Sequence, residues 1–376
     1  MIEFFEQHSG GVVVIGVFFI AWMMQLYYLL GYFQKAAKPQ KQAAQHNDPV
    51  SVIICARNEE KNLLEHIPLL MEQDYPTFEV VIVNDSSWDD TETVLKALQL
   101  RYPNIHVVHL DEEKQNLQGK KFALTLGIKA AKYEHLVLTD ADCVPASNQW
   151  LRSMTQPMRT PKDLVLGFAP YKKYPGWLNK IIRFDTLMIG MHYLGLAASG
   201  KPYMGIGRNM AYNKELFFRV GGFKSHYRIA SGDDDLFVNQ VATDKNVAIV
   251  VDPQGQTISE PKKTWKEWFV QKRRHFTTAP YYKEQDKRRL MLWPLTYLLL
   301  WSCFFTAVFL HTGILLLSGA LVLRYVVQIT ILHKVSKSLG QPSDTVWLAP
   351  VLEPHLHALN LMLYTTNLVR KQQKWN

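Results

Sequence analysis

The sequence predicts an α/β domain of Rossmann-like build attached to membrane-spanning helices: one before it, two after it, and an interfacial helix at the C-terminal end. Three observations carry this reading. Residues 11–33 and 290–323 contain no charged side chain. Between them, short β-branched runs alternate with charged amphipathic stretches, the pattern of βαβ units around a mainly parallel sheet. Several of those runs end in acidic residues, which a parallel sheet would gather on one edge.

The first apolar stretch, 11–33, is long enough to cross a hydrocarbon core of about 30 Å at about 1.5 Å per residue. A cleaved signal peptide would need a basic start, a shorter run and small residues at its end. Here the start is acidic (Glu3, Glu6) and Tyr27, Tyr28, Tyr32 and Phe33 crowd the end, so residues 1–34 are expected to form a retained anchor. The second block, 290–333, divides at His311-Thr312-Gly313 into two pieces of spanning length, which predicts a helical hairpin. Lys35, Lys38 and Lys41 follow the first span, Lys287, Arg288 and Arg289 precede the second, and Lys334 and Lys337 follow the third. The positive-inside rule places all three groups, and with them residues 50–285, in the cytoplasm. The expected location is a bacterial inner membrane, crossed more than once. The segment 345–376 is apolar but carries Glu353, Pro354, His355 and His357, and a fourth span would send Arg370, Lys371 and Lys374 outside. An interfacial or re-entrant helix is expected there.

The chain has 42 basic and 33 acidic residues, a formal charge of +9, which points to an anionic partner. The basic residues cluster beside the spans, so a membrane surface or a phosphorylated substrate is expected and nucleic acid is not. Cys55, Cys143 and Cys303 show no CxxC spacing, which argues against disulfides and a cysteine zinc site.

In the middle, strands are expected at 50–56, 78–83, 105–110 and 135–139, with helices at 59–71, 89–100 and 120–131. The first strand ends in Ala56-Arg57-Asn58-Glu59, the second in Asn84-Asp85, the fourth in Asp140-Ala141-Asp142. Two carboxylates one residue apart, Asp140 and Asp142, suit a hard divalent cation that leaves coordination places for substrate phosphates. Glu59 or Asp85 alone could as well cap a helix. The run Ser231-Gly232-Asp233-Asp234-Asp235 opens another helix. Three adjacent acids there fit ordinary capping, yet their mutual repulsion can raise one pKa into the range of a general base. In 265–276, aromatic residues that suit a membrane interface surround Gln271 and Arg274, three apart on one helical face. An arginine fork there could meet a diphosphate.

The ordered set SVIICARNEE, VNDSS, GKKFAL, TDADC, GIGRNMAY, SGDDDLF and QKRRH resembles membrane-bound family 2 glycosyltransferases, a group that includes hyaluronan, chitin and cellulose synthases and ceramide glucosyltransferase. The resemblance covers roughly residues 50–275 and implies the A-type glycosyltransferase fold. By matching position it implies nucleoside contacts from Ala56, Glu59 and Asp85, and a donor-binding lysine at Lys120. It further implies diphosphate and metal contacts (Mg²⁺ or Mn²⁺) from Asp140 and Asp142, and a catalytic base at Asp234 with Asp233 beside it. Gly207, Arg208 and Asn209 fall where the family approaches its acceptor, and Gln271 and Arg274 match QxxRW. His275 replaces that tryptophan, which in processive synthases lies beside the acceptor sugar. The expected activity is transfer of single sugars from a nucleotide-diphosphate sugar, such as a UDP-sugar, to a membrane-associated lipid or glycan acceptor. A processive synthase and a catalytically silent scaffold are the alternatives.

Overall fold

The structure is a computed structural model that describes residues 2–38, 47–110, 119–229 and 231–369. Lys41, Arg370, Lys371 and Lys374, used above to orient the chain, lie outside the described residues. The order is α1 (Ile2–Gly31), β1 (Val50–Ala56), α2 (Glu60–Met71), β2 (Phe78–Asp85), α3 (Thr91–Arg101), β3 (Ile105–Leu110), α4 (Lys120–Ala130) and β4 (His135–Leu138). Then come β5 (Cys143–Pro145), α5 (Trp150–Thr155), β6 (Leu164–Gly167), α6 (Trp177–Ala197), β7 (Met210–Asn213), α7 (Lys214–Arg219) and α8 (Asp235–Val241). β8 (Val247–Val250), β9 (Thr257–Ser259), α9 (Trp265–His275), α10 (Glu284–Phe309), α11 (Ile314–Ser338) and α12 (Ala349–Val369) complete it.

Seven strands form one sheet in the order β3-β2-β1-β4-β7-β6-β8. β1 is parallel to both β2 and β4, with Val50 opposite Phe78 and His135. Their carboxyl ends therefore share an edge, as the βαβ reading requires. β7 runs antiparallel between β4 and β6, so the sheet is mixed. Side chains of β1 are buried on both faces, Ile53 in one apolar cluster and Val52 and Ile54 in the other. That explains why its sequence is a continuous apolar run and not an alternation.

Among the described residues, three helices are long and apolar enough to cross a membrane: Gly10–Ala37, Glu284–Phe309 and Ile314–Ser338. They pack through Phe18, Ala21, Leu300, Ala307, Leu317 and Leu321. Polar side chains add directional links: Trp22 Nε1 donates to the Ala320 carbonyl at 2.7 Å, and Tyr28 donates to the Arg289 carbonyl at 2.7 Å. α12 lies against α6, α9 and α11.

One charge pair is sealed inside this assembly. Arg324 of α11 and Glu353 of α12 are each about 1% exposed and meet through two hydrogen bonds, 2.5 and 2.8 Å long. Gln25 and Gln328 complete the cage at 2.7 and 2.8 Å from the guanidinium. Breaking such a pair strands one charge, which costs about 3–5 kcal/mol. Arg324→Leu is therefore expected to lower the melting temperature of the detergent-solubilised protein sharply, and Arg324→Leu with Glu353→Leu to recover much of the loss. Equal melting of wild type and single variant would show that the pair does not hold α12 in place.

Candidate active site

The turn after β1 is set by Asn58, whose φ of +58° lies in the left-handed region that asparagine tolerates better than most residues. In that conformation its side chain accepts from the Trp88 amide at 3.0 Å, and its own amide donates to Ser87 Oγ at 3.0 Å. The turns after β1 and β2 are thus tied together. Glu59 stands at the N-cap of α2 without making a side-chain cap, and it lines the cavity described below. Burial pushes its pKa up, against a hydrogen bond from Asn62 and with Asp142 and Asp140 adding repulsion.

Lys120 begins α4 and spans two motifs that lie far apart in sequence. Its Nζ is 2.8 Å from Asp140 Oδ1 and 3.1 Å from Asp233 Oδ2. Desolvation alone would lower its pKa, but Asp140 and Asp233 hold it well above the ordinary lysine value. The neighbouring Lys121 does different work, donating to the carbonyls of His226, Ile229 and Ser231 at 2.7–2.8 Å. It fixes the loop that delivers the three acids.

Those acids have three separate surroundings. Asp233 pairs with Lys120; burial opposes its ionisation, but the lysine outweighs it and the carboxyl lies below the usual range. Asp235 accepts from Thr278 and from Tyr282, the latter at 2.7 Å, which ties α8 to the segment before α10. Asp234 accepts from the Gly207 amide at 2.8 Å and the Asp235 amide at 2.7 Å. It is both a helix cap and a cavity-facing carboxylate. Burial, then Asp233 and Asp235, push its pKa up to about 7, with Lys120 opposing. Gly207 permits the approach: a Cβ there would stand 3.3 Å from Asp234 Cβ.

Asp140, Asp142 and Cys143 each place a ligand atom within 4.8 Å of the others. Burial raises the Cys143 thiol well above its ordinary value, and it meets Ser259 at 3.0 Å, so the donor set suits oxygen ligation by the two aspartates. Such a pair fits Mg²⁺ or Mn²⁺, which retain places for phosphate oxygens.

α9 contributes the opposite wall. Thr264 and Glu267 form a capping box at its start, and Lys272 anchors it to Asp185 of α6 at 2.7 Å, both side chains buried. This turns Gln271 and Arg274 inward. Gln271 donates to Tyr171 at 3.2 Å, which also accepts from Arg208 at 2.6 Å. Arg274 lines the cavity, and its Nε is buried with no hydrogen-bond partner among the described residues.

Lys120, Asp140, Asp142, Glu59, Gly207, Arg208, Asp233, Asp234, Gln271, Arg274 and His275 all line one cavity of about 1610 Å³. Ala56, Asp85 and Asn209 are outside its lining. Ala56 and Asp85 are buried at 1% and 7% exposure behind the strand ends. Asn209 is fully buried, donating to the carbonyls of Phe168 and Gly255 and accepting from Trp150. It braces the start of β7 from within the core. Asp185 and Tyr171 were not singled out from sequence. Asp185 had a signal, being the single acid of α6, whereas nothing local marks Tyr171. Trp88 had none beyond its size; it is 76% exposed at the cavity mouth, with the Arg57 guanidinium 5.6 Å from its ring.

Residues 51–221 match the glycosyl transferase family 2 model. The chain carries a family 2 glycosyltransferase domain. The match ends before the three acids and α9, which lie outside the matched residues. The chain is 30% identical over 193 residues to glycosyltransferase AglE of Haloferax volcanii, an alignment covering 49% of this chain and 58% of that one. It is 28% identical over 130 residues to the poly-beta-1,6-N-acetyl-D-glucosamine synthase of Staphylococcus epidermidis, covering 32% and 30%. The chain therefore spans less than two thirds of either relative. Among solved structures, the mannosyltransferase PcManGT from Pyrobaculum calidifontis, in complex with GDP-Man and Mn²⁺, superposes with a TM-score of 0.62 at 19% identity. That superposition covers 96% of this chain and 99% of that one, a likeness of fold.

Proposed function

We propose that the protein is an inverting glycosyltransferase, moving one sugar at a time from a nucleotide-diphosphate sugar to an acceptor hydroxyl at the membrane. The observation that carries this is Lys120, which joins Asp140 of the phosphate side to Asp233 of the acid cluster within one cavity. Glu59 and the turn held by Asn58 would border the nucleoside. Lys120, Arg274 and Gln271 would meet the diphosphate. Asp140 and Asp142 would hold a divalent ion, which when bound supplies charge neutralisation for the leaving diphosphate. Asp234 takes the proton of the acceptor hydroxyl as that oxygen bonds to the anomeric carbon, and the bond to the diphosphate breaks with its electron pair leaving on oxygen. Gly207 and His275 would border the acceptor. Burial, then Arg274 and Lys272, push the His275 imidazole down to about 3, so it enters the reaction neutral.

Incubating membranes with a panel of nucleotide sugars and identifying the products by mass spectrometry tests the reading. A sugar-bearing product with release of nucleoside diphosphate supports it; release of pyrophosphate, or no turnover of any donor, refutes it.

A base with a raised pKa works only above that pKa. Transfer efficiency should therefore rise with pH through about 7 and level off above it. Asp233 is one cause of the raised value, so Asp233→Asn should move the rise to lower pH. A pH profile that is flat from 5.5 to 8.5 (about three units around a free-enzyme pKa) would remove Asp234 from the role of base.

The reading also assigns residues 1–34 to an anchor, 50–285 to a cytoplasmic catalytic domain, 290–333 to a spanning hairpin and 345–376 to an interfacial helix. A cysteine introduced at Gly10 should label from outside the cell and one at Lys96 of α3 only after permeabilisation. Labelling of both from one side would show that the first helix does not span.

A further inference from the structure

The turns that follow β1 and β2 form a strained clasp. Two residues other than glycine sit in the left-handed region there, Asn58 at φ +58° and Ser86 at φ +53°. That conformation is costly for a residue with a side chain and persists only where its surroundings impose it. Here side chains do so. Asn58 Oδ1 accepts from the Trp88 amide and the Asn58 amide donates to Ser87 Oγ, both at 3.0 Å. Ser86 Oγ donates to the Leu110 carbonyl at 3.1 Å, and the Ser87 amide to Asn84 Oδ1 at 3.3 Å. Beyond Trp88, the Asp90 amide donates to Glu60 at 3.2 Å and the Glu59 amide to Thr91 Oγ1 at 2.9 Å.

Trp88 is the residue this clasp presents. Its amide is fixed on the Asn58 side chain, yet the residue is 76% exposed where it lines the cavity mouth. The Arg57 guanidinium stands over the ring, 5.6 Å from its centroid, and most of the indole stays open. A flat ligand laid on that ring would take its apolar surface out of water and add a stacking contact. Position says which ligand. Cys55, Arg57, Asn58, Glu59 and Trp88 line the end of the cavity beyond β1 and β2, and Trp88 is the one aromatic among them. The same cavity continues to Lys120, Asp140 and Asp142.

Resting on the transferase reading, we propose that Trp88 is the platform on which the base of the donor nucleotide stacks, its diphosphate directed at Lys120 and Asp142. Every base has a π-face, so stacking of this kind tolerates base identity. Trp88 therefore separates a nucleoside diphosphate from a bare diphosphate, and the choice among bases falls to polar groups beside it.

Isothermal titration calorimetry of the full-length, detergent-solubilised protein tests this without turnover. The ligands are UDP, GDP, CDP, ADP and dTDP, with inorganic pyrophosphate beside them, all in Mg²⁺. Trp88→Leu should raise the Kd of the nucleotide that the wild type binds most tightly by about tenfold or more, the weight of a base stacked on an aromatic ring. The Kd of pyrophosphate should not change. Trp88→Phe keeps a ring and should recover most of the loss. An unchanged nucleotide Kd in Trp88→Leu would overturn the proposal, because no stacking contact was removed. An equal loss for pyrophosphate would overturn it too, because the turn itself had shifted. In either case nucleotides still bind the wild type, and the transferase reading stands. A wild type that binds none of the five nucleotides fails that reading and the proposal with it.

Discussion

Asp234→Asn lowers sugar transfer by about 10²–10⁴-fold, the usual worth of a general base, while nucleotide-diphosphate affinity stays near that of the wild type. The Gly207 and Asp235 amides donate to different oxygens of Asp234. Asparagine keeps one of them, which can go on capping α8 from the Asp235 amide, since asparagine and aspartate rank together as helix caps. The cap of α8 should therefore survive, while the capacity to take a proton and the contact from the Gly207 amide are lost. Asp233→Asn is the control with a different signature. Asp233 holds Lys120, so its loss should weaken donor binding and cost less in transfer at saturating donor. Rates and nucleoside-diphosphate dissociation constants for both variants separate the roles. Near-normal transfer by Asp234→Asn would remove it as base, and a larger defect at Asp233 would move the base one residue earlier.

Asp142→Ala reduces transfer to background, and so does excess chelator added to the wild type, with activity restored by Mg²⁺ or Mn²⁺. Asp142 is only partly buried, and its side chain accepts from the Cys143 thiol at 3.3 Å, so its removal should leave melting nearly unchanged. Its expected weight lies in the ion it would hold with Asp140. Without that ion the leaving diphosphate keeps its charge, and Lys120 and Arg274 alone face it. Full transfer in excess chelator would sink the metal assignment and leave Lys120 as the main counter-charge.

The first half of the fold was legible because its signals are local. β1 and β3 fall on the expected residues, and α2, α3, α4 and α9 begin within two residues of their expected starts, since each is a sustained apolar run or an amphipathic stretch. β6, β7 and β8 are four residues each, too short for a period to declare itself. The antiparallel insertion of β7 is a tertiary fact that no local pattern carries. The gathering of Glu59, Asp140 and Asp142 on one edge followed from parallel topology. The meeting of Lys120 with both Asp140 and Asp233 did not, because it depends on how the loop held by Lys121 returns to the sheet. Asn209 shows the converse limit. Its place in Gly207-Arg208-Asn209 suggested a contact with acceptor, but the strand that starts one residue later turns its amide into the core.

The central claim, a single displacement with Asp234 and the diphosphate on opposite sides of the anomeric carbon, has a stereochemical signature. Proton NMR of the purified product, read at the anomeric position, reports it directly. From an α-linked nucleotide sugar the account predicts a β-linked product. An α-linked product would mean retention, and would contradict the displacement and the role of Asp234 together.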